Sequence, residues 1–199
     1  MRTSLLRGGL LAFMFTLLLG IAQAADYKID NAHSSVAFKL RHMGVSWTKG
    51  TFKEMAGTIK YDAAKPEDTV INVTIQVASI DTDNDARDKH LKTADFFDAE
   101  KYPTIVFKST GVTDHKDGTL TVSGDLTMHG VTKPVDLEVT ELGPEVYIEE
   151  FKTTKRAASA KTKINRLDFD VSTDQMMGMG EMSIGKDVMI EIELELDKV

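Results

Sequence analysis

From residue 35 to the C-terminus the chain alternates apolar and polar residues with a period of two, segment after segment. That pattern constrains the architecture, because successive side chains of a strand point to opposite faces while a helix repeats every 3.6 residues. Val36, Phe38 and Leu40 oppose Ala37, Lys39 and Arg41. Gly57, Ile59 and Tyr61 repeat the pattern, as do Ile71, Val73, Ile75 and Val77, and then Ile105 and Phe107. Leu120, Val122, Leu126 and Met128 follow, with Val135, Leu137 and Val139 after them, then Ala160, Thr162 and Ile164. The cleanest case closes the chain: Val188, Ile190, Ile192, Leu194 and Leu196 against Met189, Glu191, Glu193 and Glu195. Asp117-Gly118, His129-Gly130 and Gly143-Pro144 supply turns between such segments. One interval, Thr82 to Phe97, breaks the rule: Ala86, His90, Leu91 and Ala94 recur at helical spacing, Thr82 or Asn84 is placed to cap the start, and Pro103 blocks continuation. The expectation is an all-β, antiparallel chain of about eight strands with one short helical insertion near 83–97. No repeat, linker or low-complexity tract divides it, so residues 25–199 form one domain.

Strands with one apolar face can stack as two layers or close into a barrel, and closure removes exposed edges. About eight strands leave an interior that side chains fill or that holds one small ligand. Parity assigns Val36, Phe38, Leu40, Phe52, Ile59, Ile75, Val77, Ile105, Phe107, Leu126 and Ile190 to the lumen, and a one-residue slip would turn any of them outward. The insertion is expected to close one end, with Leu91, Phe96 and Phe97 turned inward, since two exposed phenylalanines on a short helix leave an apolar patch. Whether such residues contact a ligand or only fill a core is not separable by periodicity.

The first residues follow another logic. Arg2 and Arg7 precede an apolar run from Leu10 to Ile21, which ends in Ala22-Gln23-Ala24, a small-x-small pattern that a signal peptidase accepts. The run is too short to span a hydrocarbon layer of about 30 Å. Residues 1–24 are read as a signal peptide cleaved after Ala24, with the mature protein in the bacterial periplasm and not spanning the membrane. A formal charge of −7 argues against a nucleic-acid partner. The absence of cysteine excludes disulfides, thiolate metal sites and a cysteine nucleophile.

Candidate chemistry is thin. Asp81-Thr-Asp83-Asn-Asp85 imitates a calcium loop, but Ala86 stands where a glycine is needed and Lys92 where a glutamate is needed. His33, His42, His90, His115 and His129 show no metal-binding spacing. Met176, Met177, Met179 and Met182 would suit Cu(I), yet with Gly178 and Gly180 they suit an adaptable lid over an apolar pocket better. His33, Ser34 and Ser35 are too close in sequence for a triad, and no nucleophile elbow occurs. No enzyme, cofactor or metal is expected. His42 continues the inward parity of Val36, Phe38 and Leu40 and should sit at a barrel end, facing the lumen or its rim, where a locally hydrogen-bonded rim histidine is the favoured reading.

Several stretches in order resemble the YceI-like family: Tyr27-Lys-Ile-Asp30, His33-Ser-Ser-Val-Ala-Phe38, Gly50-Thr-Phe52 and Gly57-Thr-Ile59. Ser79-Ile-Asp-Thr82, His90-Leu91, Asp95-Phe-Phe97, Tyr102-Pro103, Leu126-Thr127, Gly130-Val-Thr-Lys-Pro134 and Ile164-Asn-Arg166 continue it. Asp170 departs, standing where the family usually has glycine. The resemblance implies an extended lipocalin-like β-barrel, periplasmic residence and a bound isoprenoid chain, such as a polyprenyl quinone precursor or polyprenyl phosphate. Expected function is therefore carriage or sequestration of a long isoprenoid lipid. A fatty amide or other apolar amphiphile is an alternative, as is a metal or redox accessory role for segment 176–182 and the histidines. A homodimer stays open. A headed lipid needs polar partners at an apolar mouth; His42 is the first candidate, with Arg166 and Arg41 behind it.

Overall fold

The computed structural model describes residues 24–114, 119–172 and 183–199. The sequence-predicted signal segment up to Gln23, His115, the Asp117-Gly118 turn and the methionine-rich segment 176–182 lie outside them. In chain order the elements are β1 (Ala25–Ile29), β2 (Ser35–His42), β3 (Ser46–Phe52), β4 (Met55–Tyr61), β5 (Val70–Gln76), β6 (Ile80–Asp81) and α1 (Asp85–Leu91). There follow β7 (Thr104–Asp114), β8 (Leu120–Met128), β9 (Val131–Leu142), β10 (Val146–Ile148), β11 (Thr153–Asn165) and β12 (Ile184–Lys198).

Among the described residues twelve strand segments form one sheet, and a pairing of β11 with β12 closes it on itself. The ring runs β12-β1-β4-β5-β7-β8-β9-β11, and every pairing in it is antiparallel. The segments outnumber the expected eight strands because four walls are broken in two; one is the wall of β9 and β10, which follow each other along β11 at Leu142↔Ala158 and Val146↔Lys155. β1 and β2 lie in succession along the same edge of β12, at Ile29↔Leu196 and then Val36↔Ile192. β4 and β3 are two halves of the next wall, and β5 and β6 of the one after it. The β1/β2, β3/β4 and β5/β6 breaks fall at one level and are bridged. The Asn31 amide donates to the Lys53 carbonyl at 3.1 Å and accepts from the Met55 N–H at 2.7 Å. Lys53 N–H in turn donates to the Ser79 carbonyl, and Gln76 N–H to that of Glu54. Backbone groups that leave the ladder thus find other partners, as buried backbone must.

Two expectations need correction. Val77 does not line the lumen. The strand ends at Gln76, and residues 77–79 form a 3-10 turn in which the Ser79 hydroxyl donates to the Gln76 carbonyl at 2.6 Å. Leaving the pleat carries Val77, 1% exposed, into the packed core beside the cavity. The helical insertion is also shorter than 83–97. Asn84 caps α1 by accepting from the Arg87 N–H at 2.9 Å. At the other end the Thr93 hydroxyl takes the His90 carbonyl at 2.8 Å, a side chain competing with the helix for its acceptor. Bonds from Phe97 N–H to Leu91 and from Ala99 N–H to Lys92 then fold the rest into turns.

The departure at Asp170 leaves the local turn intact. This residue adopts φ 55°, ψ 25° after the 3-10 segment Arg166–Phe169, the left-handed conformation that glycine enters freely and aspartate tolerates better than most. Among the described residues no helix is long and apolar enough to cross a membrane.

Candidate functional site

The ring encloses a cavity of about 430 Å³. Val36, Phe38, Leu40, Phe52, Ile59, Ile75, Ile105, Phe107, Leu126 and Ile190 all line it, as parity predicts. Lys39, Thr74, Gln76 and Lys108, one position off in register, do not. The remaining wall comes from same-face residues of the later strands, among them Val122, Val135, Leu137, Val139, Ile192 and Leu194. No carboxylate is among the described lining residues. An interior of this composition stays dry and favours apolar guests.

Two glycines keep the lumen open. A Cβ on Gly50 would come within 2.5 Å of the Phe38 ring, and one on Gly124 within 2.3 Å of the Phe107 ring. Each ring therefore lies against the bare backbone of a neighbouring strand, where an L side chain would hold it off.

The lumen has two unlike ends. At the first, β2 finishes with His42, which lines the cavity and is exposed, so it stands at the mouth. Leu91, Phe96 and Phe97 line the same end. Phe97 meets Phe52 edge-on with ring centres 5.9 Å apart, and Phe52 meets Phe38 at 5.7 Å. Phe96 lies against His90 at 5.0 Å. The arginines here are committed. Arg87 donates from Nε and Nη2 to the hydroxyl and carbonyl oxygens of Thr82, at 2.8 and 2.7 Å. Arg166, only 4% exposed, donates to the carbonyls of Gly185, Val171 and Ile184 at 3.1, 2.8 and 2.8 Å. It ties β12 to the turn after β11, so its place is in the wall. Arg41 is exposed and stacks over Trp47 at 4.1 Å, outside the cavity lining.

The opposite end is framed by Tyr27, Tyr61, Leu142 and Arg156. Tyr27 is 1% exposed and donates its hydroxyl to Glu145; burial first, and that bond second, push its pKa up to about 12. Lys198 holds the same Glu145 carboxylate at 2.9 and 2.8 Å and draws it below the usual range. Sequence reasoning passed over Arg156, because the segment around it, Thr154-Lys155-Arg156-Ala157-Ala158, carries no apolar alternation to reveal which side faces inward.

One cluster of metal-ligand type occurs among the described residues: Asp30, His33 and Glu195. Its centre is taken by an amine. Lys155 Nζ lies 2.8 Å from Asp30, 2.7 Å from Glu195 and 2.9 Å from Asp197. The bond from Lys155, then that from His33, holds Asp30 well below the usual carboxylate range, while Asp30 raises His33. Asp81, in the imitation calcium loop, pairs instead with Lys53 at 3.0 Å.

Comparison with known proteins agrees with this geometry. The YceI-like domain matches residues 27–196. Protein YceI of Escherichia coli O6:H1 is 43% identical over 197 residues, covering 97% of each chain. The crystal structure of Burkholderia cenocepacia BcnA superposes with a TM-score of 0.73 at 26% identity, over 84% of this chain and 98% of that one. A polyisoprenoid binding domain from Saccharophagus degradans, implicated in plant cell wall breakdown, shares the fold at a TM-score of 0.59 and 14% identity, over 89% of this chain and all of the other.

Proposed function

The chain belongs to the YceI-like domain family, and from that premise we propose that it is a binding protein that shields one apolar chain from water inside its barrel. The observation that carries this reading is the cavity itself: about 430 Å³, walled by aliphatic and aromatic side chains and free of carboxylates among the described residues. Each methylene taken from water into such a lumen contributes about 0.8 kcal/mol, so affinity needs no polar contact along the chain. Acid–base or nucleophilic catalysis would need a general base beside a reacting group. The lumen supplies hydrocarbon instead.

The isoprenoid assignment is the finer part of the proposal. It is supported by family membership and by the shared fold with a domain described as polyisoprenoid binding. At about 30 Å³ per methylene-sized group the lumen holds about fourteen such groups, or about three isoprene units. A longer chain emerges through an end or spreads the barrel. The apolar run up to Ile21 and the Ala22-Gln23-Ala24 site support export to the periplasm with cleavage after Ala24.

Native mass spectrometry of protein purified from its own periplasm, with N-terminal sequencing, tests all three levels. An adduct with a fragmentation series of five-carbon units, on a chain starting at Ala25, is the expected result. A straight-chain adduct would replace the isoprenoid part, and bound copper with no organic adduct would overturn the apolar-carrier reading.

A further inference from the structure

Among the described residues three arginines line the lumen, and of these Arg156 has buried donors without a hydrogen-bond partner. The guanidinium groups of Arg87 and Arg166 are bonded to Thr82 and to three backbone carbonyls. The Nε and Nη1 atoms of Arg156, by contrast, are buried without a hydrogen-bond partner. Its guanidinium carbon lies 4.8 Å from the centre of the Tyr61 ring and 5.8 Å from that of Tyr27, which cradle the cation but accept none of its N–H bonds. Glu145, an acid whose charge bears on it, is already taken by Lys198 and by the Tyr27 hydroxyl. A buried donor left unpaired costs about 1–3 kcal/mol, and more when it is charged. Such a group calls for an explanation, and a ligand that completes it is one.

We propose that Arg156, between Tyr27 and Tyr61, is the head-group site of the barrel, and that the bound amphiphile carries an anionic head, a carboxylate or a phosphate. This places the head at the end opposite His42. Register fixes that separation: Tyr27 pairs with Lys198 and Arg156 with Leu196 near the C-terminus of β12, whereas His42 pairs with Ile184 at its start. Between them the described lining is almost wholly hydrocarbon, so a chain entering past His42, tail or head first, meets the Arg156 cation at the far end. Charge-assisted bonds are about twice as strong as neutral ones, and they gain further in a wall of low polarity. The unpaired Nε–H and Nη1–H point in different directions, which favours a head with several acceptor oxygens. The inference rests on the apolar-carrier reading and adds the sign and position of the head.

Dodecanol, dodecanoate and dodecyl phosphate share a chain that fits the lumen and differ only at the head. Titrated calorimetrically into the wild-type protein, the two anions are expected to bind at least about tenfold more tightly than the alcohol. The tighter of the two names the head class. Arg156→Met should erase that preference while leaving dodecanol within about twofold, and Arg156→Lys should retain part of it. His42→Leu should leave the preference intact. Equal binding of all three ligands to wild type would overturn the head-group assignment and leave the carrier reading standing. A preference that survives Arg156→Met but disappears in His42→Leu would overturn it in favour of the other end. No binding of any of the three would overturn the carrier reading and this inference with it. Should Arg156→Met fail to fold, as judged by circular dichroism, Arg156→Lys and Arg156→Gln carry the same comparison.

Discussion

If the lumen is a hydrocarbon slot of fixed capacity, affinity should depend on chain length in two regimes. The perturbation is a series of primary alcohols from eight to twenty carbons, whose single neutral head keeps electrostatics out of the comparison. Each methylene inside the barrel contributes about 0.8 kcal/mol, which is about fourfold in affinity. The cavity of about 430 Å³ admits about fourteen groups at about 30 Å³ each. The dissociation constant should therefore fall about fourfold per carbon up to about fourteen carbons and then level off, because further carbons stay in water. Displacement of a fluorescent fatty-acid analogue reads this directly. Ile190→Trp, which places an indole on the lumen wall, should move the break to a shorter chain without changing the slope below it. An affinity independent of length would refute the hydrocarbon-slot argument. A rise continuing unbroken to twenty carbons would refute the fixed capacity and show that the barrel widens around its guest.

Gly124→Ala sets a methyl group against the Phe107 ring and the Lys108 carbonyl, at 2.3 and 2.6 Å; overpacking of this kind costs about 1–3 kcal/mol, and at about 2–4 °C per kcal/mol for a domain of this size a thermal melt should show it. An unchanged melting temperature would mean the glycine is not needed for the close approach. Arg166→Met strands the carbonyls of Gly185, Val171 and Ile184, and the expected loss of at least about 3 kcal/mol in urea unfolding follows from about 1 kcal/mol or more for each. For Lys155 the prediction is one of sign. Because the amine lowers Asp30 below its ordinary 3.8, their pairing stabilises the fold fully above that value and is lost as pH falls through the lower folded one. In Lys155→Met the carboxylates of Asp30, Glu195 and Asp197 are left facing one another, so melting temperature should rise on acidification from pH 7 to 4, where the wild type holds level; parallel profiles would contradict the assignment.

The inner wall was legible in the sequence because one face is buried almost everywhere, and burial is what enforces period-2 patterning. Ile190 and Phe107 could be placed from parity alone. What stayed hidden has a physical reason in each case. β3, with Ser46, Thr48 and Gly50 on the lumen-facing side, has little apolar contrast between its faces. β1 is short and closes on the far end of the chain, a pairing that no local pattern announces. Val77 was misplaced because alternation cannot report where a strand stops. Arg156 was missed because its significance lies in what it lacks, hydrogen-bond partners, and that is a property of tertiary surroundings. Arg166 was noticed for its sequence context, yet two of the three carbonyls that engage it come from β12, beyond the turn that holds the third.

The seam that closes the ring joins the two extremities of the domain: β12 lies between β11 on one side and β1 with β2 on the other. During synthesis the first strand thus emerges long before β12 exists, and β1 and β2 must each wait with an edge unpaired. Contacts of such long sequence separation make folding slow, since the entropy of closing the loop is lost before the pairing returns it. A nascent chain of this topology cannot lock into its barrel ahead of time. Under the export proposed above, late closure would keep the chain threadable, with the final strand as the latch.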